Sequence, residues 1–439
     1  MWQIILFIFY FGLFTFLIYK WSFFRKTKLN FTFRYALFLL KILAAGFVLY
    51  IYTCYYSDNV RLKSDIWKYY TDASAIYDLA INGKLSMFAE VMTDNNYSQD
   101  TENYLNENTE FWFKSFNYNL PNENRTIIKI IVLLMFLTGK NIYLLTLFAV
   151  FMAYVGSTSL FLTFDKWFKN REVLLVLFIF TIPSVLFWTS ALLKEMLVLF
   201  FLGLFFYFWI EKRNFIIGIL LWTFLFFTKI YYAIPLIPSI IAYEISLNTY
   251  KKTFRIYFIV FSTALLFSIG LHIFNAPVDI LEKLSAKQHD FIQMAVVNKA
   301  GSYIDIIPLK NNLKNFVIAT PFALINVLIR PYLWEVKNPL MLINALENIL
   351  LLIVLIWLIA KVNRNKVKDI QTFNIFWFLI TYVMSVFLII GYTSPVLGAT
   401  VRYRAPALVL LFIAFGSLSN AYIPTKINNL LRIASKKHG

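Results

Sequence analysis

Asp65 opens the stretch Ser64-Asp65-Ile66-Trp67-Lys68-Tyr69-Tyr70-Thr71-Asp72-Ala73, just beyond an apolar run that ends near residue 56. A carboxylate at a water–lipid boundary can take a proton from a hydroxyl, or hold a divalent cation against a lipid phosphate. Ile66, Tyr69, Tyr70, Ala73, Ile76, Tyr77 and Ala80 recur at helical spacing. That pattern predicts an amphipathic helix on the outer membrane surface, aromatic edge toward lipid. The plainer alternative makes Asp65 or Ser64 a helix cap and Asp72 part of a solvated face.

Bases that could meet a phosphate come from four other places. Lys194 and Glu195 follow Pro183-Ser184-Val185-Leu186-Phe187-Trp188 at a turn between apolar runs, and Lys229 ends the run 214–228. Snorkelling and a local ion pair are the competing explanation for these lysines. Arg330-Pro331-Tyr332-Leu333-Trp334-Glu335 follows a short apolar segment, and Arg402-Tyr403-Arg404 closes the stretch 391–404. Two guanidiniums suit bidentate phosphate binding, although Arg beside Tyr also anchors spans at an interface. Glu347 lies inside an apolar run and wants a partner or a polar cavity. Lys41, close to one end of its run, can snorkel.

The elements that must position these residues are membrane spans. The 439 residues are 60% hydrophobic, 19% aromatic and 15% charged, with a net charge of +18. Mean hydropathy is +0.67. Soluble domains carry about a quarter charged residues, so a soluble enzyme, a disordered chain and a nucleic-acid-binding domain are excluded. The single cysteine, Cys54, allows no internal disulfide, and the three histidines have no metal-binding spacing. No phosphate-loop or dinucleotide glycine motif occurs, which argues against a nucleotide-driven pump. No signal-peptide cleavage pattern precedes or follows the first apolar run.

A spanning helix needs about 20 apolar residues. Eleven runs qualify: 2–19, 35–56, 141–164, 172–190, 196–210, 214–228, 231–247, 255–274, 340–360, 371–390 and 405–421. Alternate connectors and the tail 422–439 hold 21 bases and five acids, or +16, which leaves +2 for everything else. The positive-inside rule then puts the N-terminus outside and the C-terminus in the cytoplasm. This parity requires 126–138 and 316–330 to lie in the outer interface rather than cross. The expected architecture is an all-α polytopic membrane protein of about eleven transmembrane helices, forming one integral-membrane domain. Residues 1–34 give an extra N-terminal span and a basic inner connector. Residues 57–140 and 275–339 form two outer loops with interfacial helices. Asp65, Asp72, Lys194, Glu195, Lys229, Arg330, Glu335, Arg402 and Arg404 all fall on the outer side. Asp65 is therefore expected to share a cavity with two or more of Lys194, Lys229, Arg330, Arg402 and Arg404.

This layout resembles the GT-C superfamily of integral-membrane glycosyltransferases. The likeness rests on Ser64-Asp65…Tyr69-Tyr70…Ala73, the segment 126–138, the Pro183…Trp188…Lys194-Glu195 turn, Lys229-Ile230-Tyr231 and Arg402-Tyr403-Arg404-Ala405-Pro406. Gly301-Ser302-Tyr303, Arg330-Pro331…Trp334-Glu335 and Leu346-Glu347-Asn348 resemble an uncharacterised bacterial branch of such proteins. The resemblance covers about 35–421. It departs from the usual pair of adjacent acids, since Ile66 follows Asp65, and the span 2–19 is additional. It implies a bacterial inner-membrane enzyme moving a sugar from a polyprenyl-phosphate donor to a glycan, lipid or protein acceptor, with inversion. Asp65 takes the place of the catalytic base or metal contact, with Asp72 as the second choice. Lys194, Glu195, Lys229, Arg330, Glu335, Arg402 and Arg404 are the candidate lipid-phosphate site. A divalent cation, Mg or Mn, is compatible but not required. The rival readings are a polysaccharide polymerase or ligase using polyprenyl-diphosphate glycans, a lipid or glycan transporter, and a subunit of a membrane complex. A transporter predicts repeat symmetry or broken helices with charges near the bilayer midplane.

Overall fold

The computed structural model describes residues 2–56, 64–94, 96–113, 121–247, 252–274 and 276–421. The basic tail 422–439 and the first part of the outer loop, 57–63, lie outside them. Among the described residues the protein is all-helical, with two isolated bridges, Tyr303 to Val396 and Val362 to Ser419, and no strands.

The chain begins with α1 (Trp2–Lys20), turns through α2 (Ser22–Arg25) and returns as α3 (Phe31–Cys54). The segment between α3 and the next long apolar helix contains α4 (Asp65–Ile81), α5 (Leu85–Thr93), α6 (Gln99–Asn108) and α7 (Asn124–Thr138). The middle of the chain forms α8 (Ile142–Phe164), α9 (Glu172–Val176), α10 (Pro183–Trp188), α11 (Lys194–Trp209), α12 (Phe215–Thr228), α13 (Ile230–Ala233) and α14 (Leu236–Leu247). Then come α15 (Thr253–Ile273), α16 (Ile280–Val297), α17 (Leu313–Leu328), α18 (Pro339–Ala360), α19 (Arg364–Lys368), α20 (Ile370–Thr393) and α21 (Leu397–Leu418).

Among the described residues, eight segments are long and apolar enough to cross a bilayer: α1, α3, α8, α13 with α14, α15, α18, α20 and α21. The protein is therefore polytopic. The other three of the eleven runs fold as shorter pieces. Run 172–190 breaks at Pro183 into α9 with a wide turn over Leu177–Thr181, and then α10. Proline cannot donate into the helical ladder and its ring clashes with the preceding turn. The break is satisfied internally, because Glu347 Oε1 accepts the Ser184 N–H at 2.9 Å. That contact is the partner Glu347 needed, at the positive end of a half-helix. Helices α11 and α12 have 16 and 14 residues. The segments 126–138 and 316–330 form α7 and α17, of 15 and 16 residues.

Burial sorts the helices. Leu, Ile and Phe of α1, α15 and α18 remain exposed, whereas α8, α11 and α21 are enclosed. Apolar lipid gives helices no hydrophobic reason to associate, so close packing of small residues does the work. At the α8–α11 crossing, Gly156 and Gly203 face each other, and a Cβ on Gly203 would run into the Gly156 carbonyl. Gly391 of α20 meets the Ala323 backbone of α17 in the same way. Gly203→Leu should force α8 and α11 apart. The expected loss is roughly 1–3 kcal/mol from overpacking, read as a lower thermal midpoint of the detergent-purified protein; an unchanged midpoint would remove this contact from the account.

The stripe on α4 is buried through Ile66, Tyr69, Ala73, Ile76 and Leu79. It packs against α7, so protein rather than lipid covers it. Ser64 holds the N-cap position but makes no side-chain cap; its hydroxyl donates instead to Tyr52 O at the end of α3, at 2.9 Å.

Candidate functional site

Asp65 is the first residue of α4, where a carboxylate complements the positive helix end. Tethering of Ser64 to α3 fixes that end beside α21. There Arg402 Nη1 donates to Asp65 Oδ2 at 2.7 Å. The same guanidinium reaches Tyr52 OH at 3.3 Å and Tyr403 OH at 3.4 Å, and its Nε lies 3.5 Å from Glu195 Oε1. Glu195 comes from the first turn of α11, adjacent to Lys194.

Lys194 starts the second half of the cluster. Its ammonium donates to Asn124 Oδ1 at 3.0 Å and lies 3.6 Å from Glu123 Oε2. Lys229, in the break between α12 and α13, stands at the same distance from that oxygen, 3.6 Å. Lys287, from α16, is 3.8 Å from Glu123 Oε1. The two halves meet at Tyr403, whose ring lies 4.3 Å below the Lys229 ammonium. Tyr69 closes the α4 side by donating to Asn124 Oδ1 at 3.3 Å.

Four cations, Lys194, Lys229, Lys287 and Arg402, therefore meet three carboxylates, Glu123, Glu195 and Asp65. Lys229 and Glu195 side chains are almost fully enclosed, while Asp65 is 33% exposed and forms the open edge. Burial works to raise the Glu123 carboxyl, but the ammoniums of Lys287, Lys229 and Lys194 outweigh it and hold it down at about 2. Burial likewise opposes charge on Lys229, yet Glu123 pulls it above the ordinary lysine value. Lys287 goes the other way, since burial outweighs the same carboxylate. Glu123 Oε1, Glu195 Oε1 and Arg402 Nε are buried and lack a hydrogen bond of good geometry, despite their ion-pair distances. Of these three atoms only Arg402 Nε is a donor that an anion could use, and the cluster's formal charge, four cations against three carboxylates, is net positive.

A borrowed hydrogen bond sets the register of Arg402. Pro406 interrupts α21, and the Tyr232 hydroxyl fills the gap, donating to Tyr403 O at 2.8 Å and accepting from Ala407 N at 3.2 Å. Tyr232→Phe should strand a buried N–H and carbonyl and cost about 1–3 kcal/mol. The check is the thermal midpoint of the variant, and no change would mean that water or the helix itself restores the rung.

The cluster thus unites Asp65, Lys194, Glu195, Lys229 and Arg402. The structure leaves the other four candidates outside it. Asp72 is buried, with Oδ1 accepting from Glu110 N at 2.8 Å and Oδ2 from Phe111 N at 2.9 Å. Burial pushes its carboxyl up to about 6, although both hydrogen bonds oppose that. It pins the chain after α6 onto α4. Arg330 donates to Glu335 Oε1 and to Asn326 Oδ1, and Glu335 Oε2 accepts from Tyr332 N, so this pair closes its own loop. Arg404 is buried and donates to Val327 O and Asn348 Oδ1, which ties α17 and α18 to α21. The stretch 391–404 is not a loop up to Ala405: α21 begins at Leu397. Positions two apart on a helix point about 200° apart, so Arg402 and Arg404 face opposite ways. Lys41 does not snorkel either; it is fully buried and donates to Thr189 Oγ1 at 3.3 Å.

The sequence reading missed Lys287, Glu123 and Asn124. All three lie in or beside polar segments between the long apolar runs, where a charge or amide is unremarkable. Only the proximity of Glu123 to the start of α7 offered a hint.

A divalent hard cation takes six or more oxygen ligands. Here Asp65 and Glu195 share one guanidinium, and Glu123 faces three ammoniums. Among the described residues no trio of His, Cys, Asp or Glu is placed to hold a metal. The donor set of this cluster is suited to an anion rather than to Mg or Mn.

Beside the cluster lies an apolar groove of about 360 Å³ between α3, α10 and α18, lined by Leu43, Phe47, Leu186, Phe187 and Ile343, among others. Tyr56 and Trp188 belong to its wall, and both rings pack on Tyr52, at 5.3 and 6.4 Å between centroids. Tyr52 is the residue whose hydroxyl meets Arg402. No protein-family model, no curated protein and no solved structure matches this chain.

Proposed function

We propose that the protein is a membrane glycosyltransferase of the GT-C type, using a polyprenyl-phosphate-linked sugar. The observation that supports this reading is Tyr52, whose hydroxyl meets Arg402 of the net-positive cluster and whose ring packs on Tyr56 and Trp188 in the wall of the apolar groove. A lipid tail in the groove leaves its phosphate beside Arg402. In this reading the eleven-span topology holds, with the broken run 172–190, α11 and α12 crossing as short helices. The cluster then faces the periplasm of a bacterial inner membrane, with the N-terminus outside and the C-terminus inside.

The chemistry follows from the charges. An incoming phosphate competes with Asp65 for Arg402 and gains Lys229 and Lys194 as further partners. The Asp65 carboxylate is released at the open edge. It takes the proton of the acceptor hydroxyl as that oxygen attacks the anomeric carbon. The bond from that carbon to the phosphate oxygen breaks, and the lipid phosphate leaves with the electron pair. Arg402, Lys194 and Lys229 stabilise the charge it acquires. The new glycosidic bond has inverted configuration. Lysines and an arginine supply the electrostatics, so no step is routed through a metal ion.

The test is transfer of label from a panel of polyprenyl-phosphate sugars into a lipid or glycan acceptor by membranes carrying the protein. Membranes lacking it should be inert, and the product should have the opposite anomeric configuration. One observation favours a second reading. The helix broken at Pro183, with a carboxylate at the N-terminus of its second half, resembles the discontinuous helices of secondary transporters. Movement of labelled lipid across vesicles without sugar transfer would select that reading.

A further inference from the structure

A second basic cavity opens at the opposite end of the helices, where α8 ends at Phe164, α20 begins at Ile370 and α21 ends at Leu418. It has a volume of about 310 Å³, and its lining includes Lys166, Lys169, Arg171 and Lys366, with Trp167 beside them. Three apolar segments of spanning length terminate there, which sets the cavity at headgroup depth. It lies on the face that the charge partition makes the inner one.

Two of the four bases build the floor. Arg171 Nη1 donates to Ser419 O at 2.5 Å and to Gly416 O at 3.1 Å. Lys366 Nζ donates to Ser419 O at 2.7 Å. Both cations thus cap the negative end of α21. The other two bases form the rim. Lys166 lies over the Trp167 ring at 4.4 Å and pairs with Glu211 at 3.0 Å. Lys169 is exposed on a turn held by the left-handed backbone of Asn170. The acids nearby are engaged: Glu172 accepts the Asn170 N–H, and Asp369 caps α20 through Thr372 N. Capping accounts for Arg171 and Lys366, but not for Lys166 and Lys169 sharing the same concavity. Burial, and then the neighbouring Arg171, lower the Lys366 ammonium to about 8, which leaves it mostly charged near neutrality.

We infer that this cavity binds the phosphate of an anionic phospholipid of the inner leaflet, through Lys169, Lys166 and Lys366, with Trp167 at the lipid boundary. Basic pockets at the ends of membrane helices recognise such headgroups by charge and short-range hydrogen bonding. The site is independent of the outer cluster and of the proposed transfer reaction.

The experiment measures the thermal midpoint of the full chain in a zwitterionic detergent. Short-chain phosphatidylglycerol, phosphatidylcholine, glycerol 1-phosphate and inorganic phosphate are titrated separately. Phosphatidylglycerol should raise the midpoint at concentrations where phosphatidylcholine does nothing. Lys169→Gln combined with Lys166→Gln should weaken that response at least tenfold, while Lys299→Gln combined with Lys310→Gln, two exposed lysines outside both sites, should leave it intact. Both inner lysines are exposed, so the double variant should fold. Equal protection by glycerol 1-phosphate or inorganic phosphate would overturn the lipid as the source. A phosphatidylglycerol response unaltered in the double variant, or matched by phosphatidylcholine, would overturn the site.

Discussion

Asp65→Asn is expected to lower sugar transfer by roughly 10²- to 10⁴-fold, the usual contribution of a positioned general base. Folding should survive. Asp65 is one-third exposed, and Arg402 keeps Glu195, Tyr52 and Tyr403 as neighbours when the carboxylate is lost. A partly exposed ion pair contributes about 0–1 kcal/mol, so the thermal midpoint should move little. The amide still accepts a hydrogen bond from Arg402, and hence donor binding should persist while turnover falls. Labelled-sugar transfer and the midpoint, measured on the same preparation, separate the two roles. A variant with full activity leaves Asp65 as a helix-terminal residue and sinks the base assignment. Asp72→Asn should behave differently, losing stability before activity, because both Asp72 oxygens hold backbone N–H groups.

Glu123→Gln should produce the largest loss of stability at a single charged position. Glu123 is the shared counter-ion of Lys194, Lys229 and Lys287. Removing one partner of a buried ion group costs about 3–5 kcal/mol, because the remaining charges stay desolvated and now repel. Adding Lys287→Met should recover part of that loss, and a double-mutant cycle measures the coupling. Purely additive losses would show that the lysines do not depend on this carboxylate. The pH dependence follows from the same group. Its folded value, about 2, lies below the ordinary 4.5. Its contribution is therefore complete above pH 4.5 and is lost as pH falls from there toward 2. Wild type and Glu123→Gln should differ most near neutrality and converge in acid, measured as midpoints across pH 2–7.

Much of this arrangement was legible because membrane topology is coarse and charge is sparse. Alternating the basic connectors was enough to put Asp65, Lys194, Glu195, Lys229 and Arg402 on one side, and the four separate segments that carry them do converge. Facing was not legible. Arg402 and Arg404 read as neighbours in a loop, whereas the helix from Leu397 sends them to different partners. Asp72 read either as a solvated acid or as the second choice for the base, and what buries it is a chain segment almost forty residues away. Lys287 carries no local pattern and Glu123 little beyond its place before α7; they acquire meaning only through the ion group they form with Lys194 and Lys229. The number of spans was legible for helices near full length. It was not for the run around Pro183, where hydropathy counts residues and ignores a break in the ladder.

The Tyr232 hydroxyl has a consequence beyond replacing one rung of α21. Lys229 lies three residues before Tyr232, and Arg402 lies one residue before the carbonyl that Tyr232 holds. The two cations are thus the tips of a caliper whose pivot is a single phenol. Tyr382 grips the same residue through its backbone carbonyl at 2.9 Å. The jaw width is set at that pivot and not by the long helices that carry it, so under the proposed function the pivot would fix the size of phosphate that fits between the tips.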